Sequence, residues 1–402
     1  MKQNNPNSRF KEFDVNWSMT PAFEVFSVET DKGHPELPVL SASQELGMVK
    51  RDNIGINMQY SKQNVASYKR VLPGRFVIHL RSFQGGFAHS AIEGITSPAY
   101  TVLSLKEPQK HDDYFWKYLF TSPEFIKRLE LVTYGIRDGR SISVEDFFEL
   151  PFCYPSTPEE QHQIAQFFSR LDTLIAAEDK KLARLKDMKA ASLEKMFPKQ
   201  GETIPQVRFK GFTGEWTIGK LSNVAGYHRE SNENVHHQNL LSLSYGKIIR
   251  KSIKSKKGLL PASFDTYQLI KENIIVLRFT DLQNDHKSLR VGISKEEGII
   301  SPAYVCLECK DNIVPDYLYL LLHFYDLCKV FYSMGDGMRQ TLSYSDVRDL
   351  PIQIPNDPKE QIHIVNFFNR LDTLISAQEQ KLDKLRSLKK SFLEKMFVNV
   401  QN

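Results

Sequence analysis

The chain has 402 residues, 41% of them hydrophobic and 25% charged, and a formal net charge of +5. That length allows two or three domains with cores of their own, and a charge so near balance, overall and within residues 18–149 and 217–349, excludes a nucleic-acid binder recognisable by charge alone. Four scattered cysteines (Cys153, Cys306, Cys309, Cys328) exclude a disulfide-built scaffold. No apolar run reaches the about 18 residues of a membrane span, and the polar stretch 1–10 lacks the apolar core of a signal peptide. A cytoplasmic protein is expected.

In chain order, the first marker is Arg9-Phe10-Lys11-Glu12-Phe13 followed by Trp17. A variable block, residues 18–149, follows, with strands expected at Phe76-Val77-Ile78 and over residues 99–105 and a helix over 114–120. Leu150-Pro151 leads into a long helix over 158–197, with Pro158 in its first turn and Glu159 and Glu160 at the positive end of its dipole. The same order then recurs. Arg208-Phe209-Lys210-Gly211-Phe212 precedes Trp216, a second variable block fills 217–349 with strands expected over 274–277 and 303–307 and a helix over 317–324, and Leu350-Pro351 leads into a second long helix over 358–397. The two helical segments align without a gap and more than half of their positions are identical, which marks a duplicated structural unit. The blocks between them diverge, sharing only Leu40-Ser41-Ala42-Ser43 with Gly47 against Leu241-Ser242-Leu243-Ser244 with Gly246, and Gly94-Ile95-Thr96-Ser97-Pro98-Ala99-Tyr100 against Gly298-Ile299-Ile300-Ser301-Pro302-Ala303-Tyr304.

Each long helix carries an apolar seam of period seven, the pattern of a coiled coil. In the first it runs through Phe168, Leu171, Ile175, Leu182, Leu185 and Met196, and in the second through Phe368, Leu371, Ile375, Leu382, Leu385 and Met396. Polar breaks fall at matching places, Glu178/Gln378 and Lys189/Lys389. Two matched seams in one chain predict helices that pair with each other, each a rod of roughly 60 Å at about 1.5 Å per residue. If the halves are equivalent, Phe397 ends near Arg9 as Phe197 ends near Arg208, giving a pseudo-twofold molecule that tolerates circular permutation. The expected class is α+β: two mixed α/β domains separated by a long antiparallel two-helix coiled coil. The expected parts are 1–17 (N-terminal scaffold repeat), 18–149 (first variable domain), 150–216 (central repeat), 217–349 (second variable domain) and 350–402 (C-terminal repeat).

Catalytic motifs are missing. Gly214-Glu215-Trp216-Thr217-Ile218-Gly219-Lys220 begins like a phosphate-binding loop, but Leu221 stands where magnesium needs a hydroxyl, and the tryptophan belongs to the repeat. Gly335-Asp336-Gly337 is a fragment of a dinucleotide fingerprint and is read as a loop. Cys306-x-x-Cys309 lacks a second cysteine pair and sits in a strand-like Val-Cys-Leu-Glu-Cys. His228, His236 and His237 have no supporting ligand spacing and are read as a surface loop. No Asn/Asp-Pro-Pro-aromatic tetrad of an amino-methyltransferase is present.

The duplicated architecture resembles the specificity subunit of type I restriction–modification systems. The residues that carry the likeness are Leu-Pro-x-x-x-Pro at Leu150 and Leu350, Glu160-Gln161 and Glu360-Gln361, Arg-Leu-Asp-x-Leu-Ile at Arg170 and Arg370, Leu-Glu-Lys-Met-Phe at Leu193 and Leu393, and Pro205-Gln206-Val207-Arg208-Phe209 before Gly214-Glu215-Trp216. The first Arg-Phe-Lys marker lacks the glycines of the second. The resemblance implies that each variable block is a target recognition domain reading one half of a bipartite double-stranded DNA sequence, with the coiled coil setting the spacing. It also implies two modification (methyltransferase) subunits that bring S-adenosylmethionine to an adenine in each half-site, and restriction subunits, two where present, that add ATP and Mg. The chain itself would bind no cofactor and catalyse nothing. The rival readings are a fused or stand-alone DNA-modifying enzyme and a coiled-coil adaptor that never touches DNA.

Candidate DNA contacts in the first block are Lys50, Arg51, Arg81, Ser82 and Gln84, the last three beside Gly85-Gly86, where glycines admit a close backbone approach. In the second block the basic run Lys247, Arg250, Lys251, Lys254, Lys256 and Lys257 is the candidate. Arg137 and Arg140, and Arg339 and Gln340, occupy glycine-containing stretches before each return to the repeat. Lysines suit phosphates, and arginine or glutamine suits base edges.

Overall fold

The computed structural model describes residues 5–43, 46–54, 65–79, 86–129, 132–134, 141–199, 201–233, 237–252, 261, 263–280, 289–334 and 341–398. Chain contacts divide it into two units, residues 1–180 with 379–402, and residues 181–378. Each unit therefore holds one variable block, one end of one long helix and the opposite end of the other.

The first unit is built on an antiparallel four-stranded sheet in the order Phe26–Glu29, Thr101–Leu105, Phe76–Ile78, Phe87–His89. Leu40–Ser43 pairs with Gly47–Lys50, and Lys69–Val71 with Gly94–Thr96. The second unit repeats this strand for strand: a sheet ordered Ala225–His228, Val305–Cys309, Ile275–Leu277, Val291–Ile293, then Leu241–Ser244 with Lys247–Arg250 and Gln268–Ile270 with Gly298–Ile300. The cores are filled differently. Phe26, Phe76, Trp116, Phe120, Phe147 and Phe152 crowd edge to face in the first, whereas Ile275, Leu277, Leu307, Leu318, Leu321 and Leu322 fill the second. Aromatic and aliphatic packing of comparable volume support one fold, which is how the blocks diverge without changing architecture.

The shared Gly-Ile-x-Ser-Pro-Ala-Tyr sequence has a local cause. A Cβ on Gly94 would lie 2.5 Å from both Leu40 Cγ and the Pro38 carbonyl oxygen, and one on Gly298 would lie 2.6 Å from the Asn239 carbonyl oxygen. Ser97 Oγ accepts from Ala99 N–H and Ser301 Oγ from Ala303 N–H, both at 3.3 Å, closing matching turns. These turns delay the following strands, which start at Thr101 and Val305 rather than at the expected Ala99 and Ala303. His228 also departs from expectation. It is no surface-loop residue but lies on Ala225–His228, 7% exposed, with Nε2 2.8 Å from the Leu269 carbonyl oxygen. His237 is half-buried, and His236 lies outside the described residues. The phosphate-loop look-alike forms the strand Thr217–Lys220, paired with Pro351–Ile354.

The long helices run Pro158–Met196 and Pro358–Lys395. In the first unit, Phe168 stacks on Phe397 at 5.8 Å between ring centres, Phe167 meets Phe392 at 4.9 Å, and Glu178 pairs with Lys381 at 2.5 Å. In the second, Phe197 stacks on Phe368 at 6.3 Å. Rising numbers on one helix meet falling numbers on the other, so both units contain an antiparallel coiled-coil segment. Phe168, Leu171, Met196, Phe368, Leu371, Ile375, Leu382 and Met396 are buried, and Ile175, Leu182, Leu185 and Leu385 half-buried. The polar breaks form cross-helix layers. Asp172 pairs with Lys389 in the first unit and Asp372 with Lys189 in the second, each at 2.5 Å, and these aspartates are the third residue of the repeated Arg-Leu-Asp motif. Gln378 is 5% exposed.

The second layer borders His323, which stacks on Tyr319 and is 9% exposed. Burial, reinforced by the Lys189 charge, lowers its pKa to about 4. The unfolded chain therefore binds the proton that the folded imidazole refuses between about pH 6.5 and pH 4. Stability of the second unit is expected to be full above about pH 6.5 and to fall as pH drops through that window, by up to about 1.4 kcal/mol per pH unit. Denaturant titrations of wild type and His323→Phe check this. The difference between them should be constant above the window and shift against the wild type as pH falls through it, levelling off below about pH 4.

Candidate nucleic-acid interface

The repeated Glu-Gln pair fixes where each variable block is held. Glu160, 1% exposed, accepts from Arg9 Nε and Nη2, both at 2.6 Å, and from Trp17 Nε1 at 3.1 Å. Glu360 accepts from Arg208 Nε at 2.6 Å and Nη2 at 2.7 Å. The repeat ends meet as expected, since Ser8 N–H donates to the Lys395 carbonyl and Val207 N–H to the Lys195 carbonyl, each at 2.9 Å. The glutamines reach the blocks instead. Gln161 Oε1 accepts from Asp112 N–H at 3.0 Å and Gln361 Oε1 from Val314 N–H at 2.9 Å, the residues that cap Asp113–Thr121 and Pro315–Leu327. One repeated dipeptide thus ties both the Arg-Phe-Lys segment and the variable block to the first turn of each rod.

Five of the residues singled out in the sequence are described, and they gather on matching hairpins. Lys50 stands opposite Leu40 and Arg250 opposite Leu241, and the next residues, Arg51 and Lys251, donate their N–H groups to the Val39 and Leu240 carbonyls at 3.0 and 2.7 Å. Lys50, Lys247 and Lys251 are exposed. Arg51 Nε donates to Ser41 Oγ at 3.2 Å. Arg250 Nε lies 2.9 and 2.7 Å from the two carboxylate oxygens of Glu296. That hydrogen bonding raises the pKa of Arg250 and lowers that of Glu296. Arg81, Ser82, Gln84, Arg137, Arg140, Lys254, Lys256, Lys257, Arg339 and Gln340 lie outside the described residues.

The strand ends that bracket residues 80–85 and 281–288 are described. His79 N–H donates to the Gly86 carbonyl at 3.0 Å, and Arg278 N–H to the Arg290 carbonyl at 2.9 Å. Arg290 was not singled out by sequence reasoning. It is 0% exposed, and its Nη1 donates to the Thr280 carbonyl at 2.6 Å and the Arg278 carbonyl at 3.2 Å, binding the two sides of that junction together. Two further residues escaped notice, Leu46 and Tyr245, which project from the hairpin tips at 73% and 77% exposure. Their only signal is the glycine that follows each.

Among the described residues no group of three His, Cys, Asp or Glu side chains could hold a metal ion. Burial pushes the thiols of Cys306 and Cys309 up to about 12, far from a reactive thiolate. No helix among the described residues is long and apolar enough to cross a membrane.

A family model described as the type I restriction modification DNA specificity domain matches residues 27–187 and again 214–387. The chain belongs to that family and is a DNA-recognition subunit with two specificity domains. The fold agrees with a type-I restriction-modification system S subunit from M. genitalium, at TM-score 0.56 and 14% identity, covering 99% of this chain and 100% of that one. A second chain, from a structure titled for complex assembly and conformational transition of the type I R-M system, gives TM-score 0.55 and 14% identity, covering 96% and 98%. No curated protein sequence matches.

Proposed function

We propose that each variable block reads one half of a bipartite duplex target, that the paired helices set the interval between the halves, and that two copies of a methyltransferase subunit dock on the chain to bring S-adenosylmethionine to an adenine in each half-site. Restriction subunits, where present, join that assembly. The supporting observation is the repetition of the four-stranded sheet and its two flanking strand pairs in both units, with connecting sequences and cores that differ. Unlike loops on like frames suit two unlike half-sites. Like surfaces suit two copies of one partner, and such surfaces exist off the seam: Leu174 and Leu388 in the first unit, 42% and 46% exposed, match Leu374 and Met188 in the second, 52% and 43% exposed.

In this reading Lys50, Lys247 and Lys251 meet phosphates. Arg51 and Arg250, together with Arg81, Ser82, Gln84, Arg137, Arg140, Lys254, Lys256, Lys257, Arg339 and Gln340, complete the contact set. The test is duplex retention by the purified chain with its methyltransferase subunits. The wild-type complex is expected to bind one two-part sequence far above random duplex. Lys251→Ala should weaken binding to all sequences alike and reduce the salt slope by about 1. Equal retention of every sequence by the wild type contradicts the proposal, as does methyl transfer by the chain alone.

A further inference from the structure

We propose that Tyr245 and Leu46 are apolar wedges through which each variable block engages the base stack of duplex DNA. The inference rests on the DNA reading above and assigns to these two residues a contact that charge and hydrogen bonding do not supply.

Among the described residues they are the most exposed large hydrophobic side chains, at 77% and 73%, the next being Ile204 at 55%. Each sits at the tip of the corresponding hairpin directly before a glycine, Tyr245 as the first residue of the turn that Ser244 and Lys247 close, and Leu46 as the last residue before Gly47, which pairs with Ser43. Those glycines pin the tips. Gly47 has φ +73° and a Cβ there would lie 2.3 Å from the His89 carbonyl oxygen, while Gly246 has φ +75° and a Cβ there would lie 3.1 Å from Leu289 Cβ. Gly246 N–H donates to the Leu289 carbonyl at 3.2 Å. Each tip is thus seated on its sheet while the preceding side chain is held out into water.

Tyr245 also bears a backbone cost. Ser244 pairs with Lys247, so Tyr245-Gly246 is a two-residue turn, and Tyr245 has φ 46°. Such turns favour asparagine, aspartate or glycine at that position, and a bulky residue in the left-handed region is an outlier. Neither burial nor backbone preference accounts for a tyrosine here. A function for the exposed ring does.

The surroundings choose the partner. The second hairpin and its exit present Lys247, Arg250 and Lys251, and the first presents Lys50 and Arg51. Lys247 stands beside the second tip, while Lys50 and Arg250 lie at the far ends of the hairpins, opposite Leu40 and Leu241, with Arg51 and Lys251 next to them. An apolar tip on a hairpin that carries cations fits a base stack edged by phosphates. Proteins that kink duplexes insert apolar side chains between base steps. Flat and branched wedges favour different steps, so Tyr245 and Leu46 would add unlike preferences to the two half-sites through deformability rather than base-edge hydrogen bonds.

The experiment uses the chain with its methyltransferase subunits and a fluorescein-labelled duplex carrying the two-part motif methylated in the host genome. Tyr245→Gly relieves the left-handed strain, so its melting temperature is expected to equal or exceed that of wild type, while affinity falls about tenfold, the scale of one stacking contact. Methylation should slow at one half-site only, and Leu46→Gly should slow the other. Salt slopes should stay at the wild-type value, unlike that of Lys251→Ala. Wild-type affinity and half-site rates in both variants overturn the proposal while leaving the DNA reading intact. Release of the methyltransferase subunits on gel filtration overturns it in favour of a protein contact. A wild-type complex that retains no duplex overturns both.

Discussion

Glu160→Ala is expected to destabilise the first unit by about 3–5 kcal/mol, the cost of breaking a buried ion pair by removing one partner. Glu160 is 1% exposed and Arg9 13%, and the hydrogen bonding of the Arg9 guanidinium to the Glu160 carboxylate is the chief reason the guanidinium pKa stands above its ordinary value. Without the carboxylate, the Trp17 N–H loses its acceptor and the Arg9 charge loses its counter-ion, keeping the Val15 carbonyl. In a unit of this size the midpoint should drop by about 2–4 °C for each kcal/mol. The repeat provides an internal control. Trp216 is as buried as Trp17, but its Nε1 has no hydrogen-bond partner among the described residues. Trp17→Phe should therefore lower stability by about 1 kcal/mol more than Trp216→Phe, and thermal unfolding of the two variants compares them directly. Equal losses would mean that the indole–carboxylate contact contributes nothing.

Inserting one heptad into each long helix, after Glu178 and after Gln378, is expected to change the gap between half-sites and leave the half-sites themselves unaltered. Seven helical residues add about 10 Å, roughly three base pairs. A whole heptad returns the seam to the same face, so Phe168 on Phe397 and Phe197 on Phe368 keep their partners. Methylated-base sequencing of cells carrying the variant reads the outcome. A lengthened gap between unchanged half-sites is the expected result, and a wholly new sequence would contradict it. An insertion of two residues would rotate the seam by about 200°, just over a half-turn, and should abolish folding instead.

The long helices were legible because a heptad needs only spacing, and the chain states that spacing twice. Short buried strands such as Phe76–Ile78 and Ile275–Leu277 were legible as short apolar runs, the second expected one residue earlier at Ile274. The polar breaks in the seam were visible as breaks, but not their partners, since Lys189 meets a residue 183 positions away. The starts of Thr101–Leu105 and Val305–Cys309 were misplaced because serine hydroxyls close turns over residues whose composition also suits a strand. Of the candidate interface, sequence alone singled out the basic residues that the fold places on the hairpins, Lys50, Arg51, Lys247, Arg250 and Lys251. It missed Leu46 and Tyr245, because exposure of a hydrophobic side chain is set by hairpin register and by glycine-pinned tips rather than by residue type. It missed Arg290 because an arginine usually signals surface, and its burial follows from partners distant in sequence or hidden in the backbone, the Tyr332 hydroxyl and the carbonyls of Arg278 and Thr280.

The account stands on two unlike readers held at a set interval by one scaffold. Base-modification sequencing of the host genome, with the gene present and deleted, tests it most directly. A single adenine-methylated motif in two parts separated by a constant gap, lost in the deletion and restored by the wild-type gene, is the predicted result. A methylation pattern unchanged by the deletion, or a lost motif made of one uninterrupted block, would contradict it.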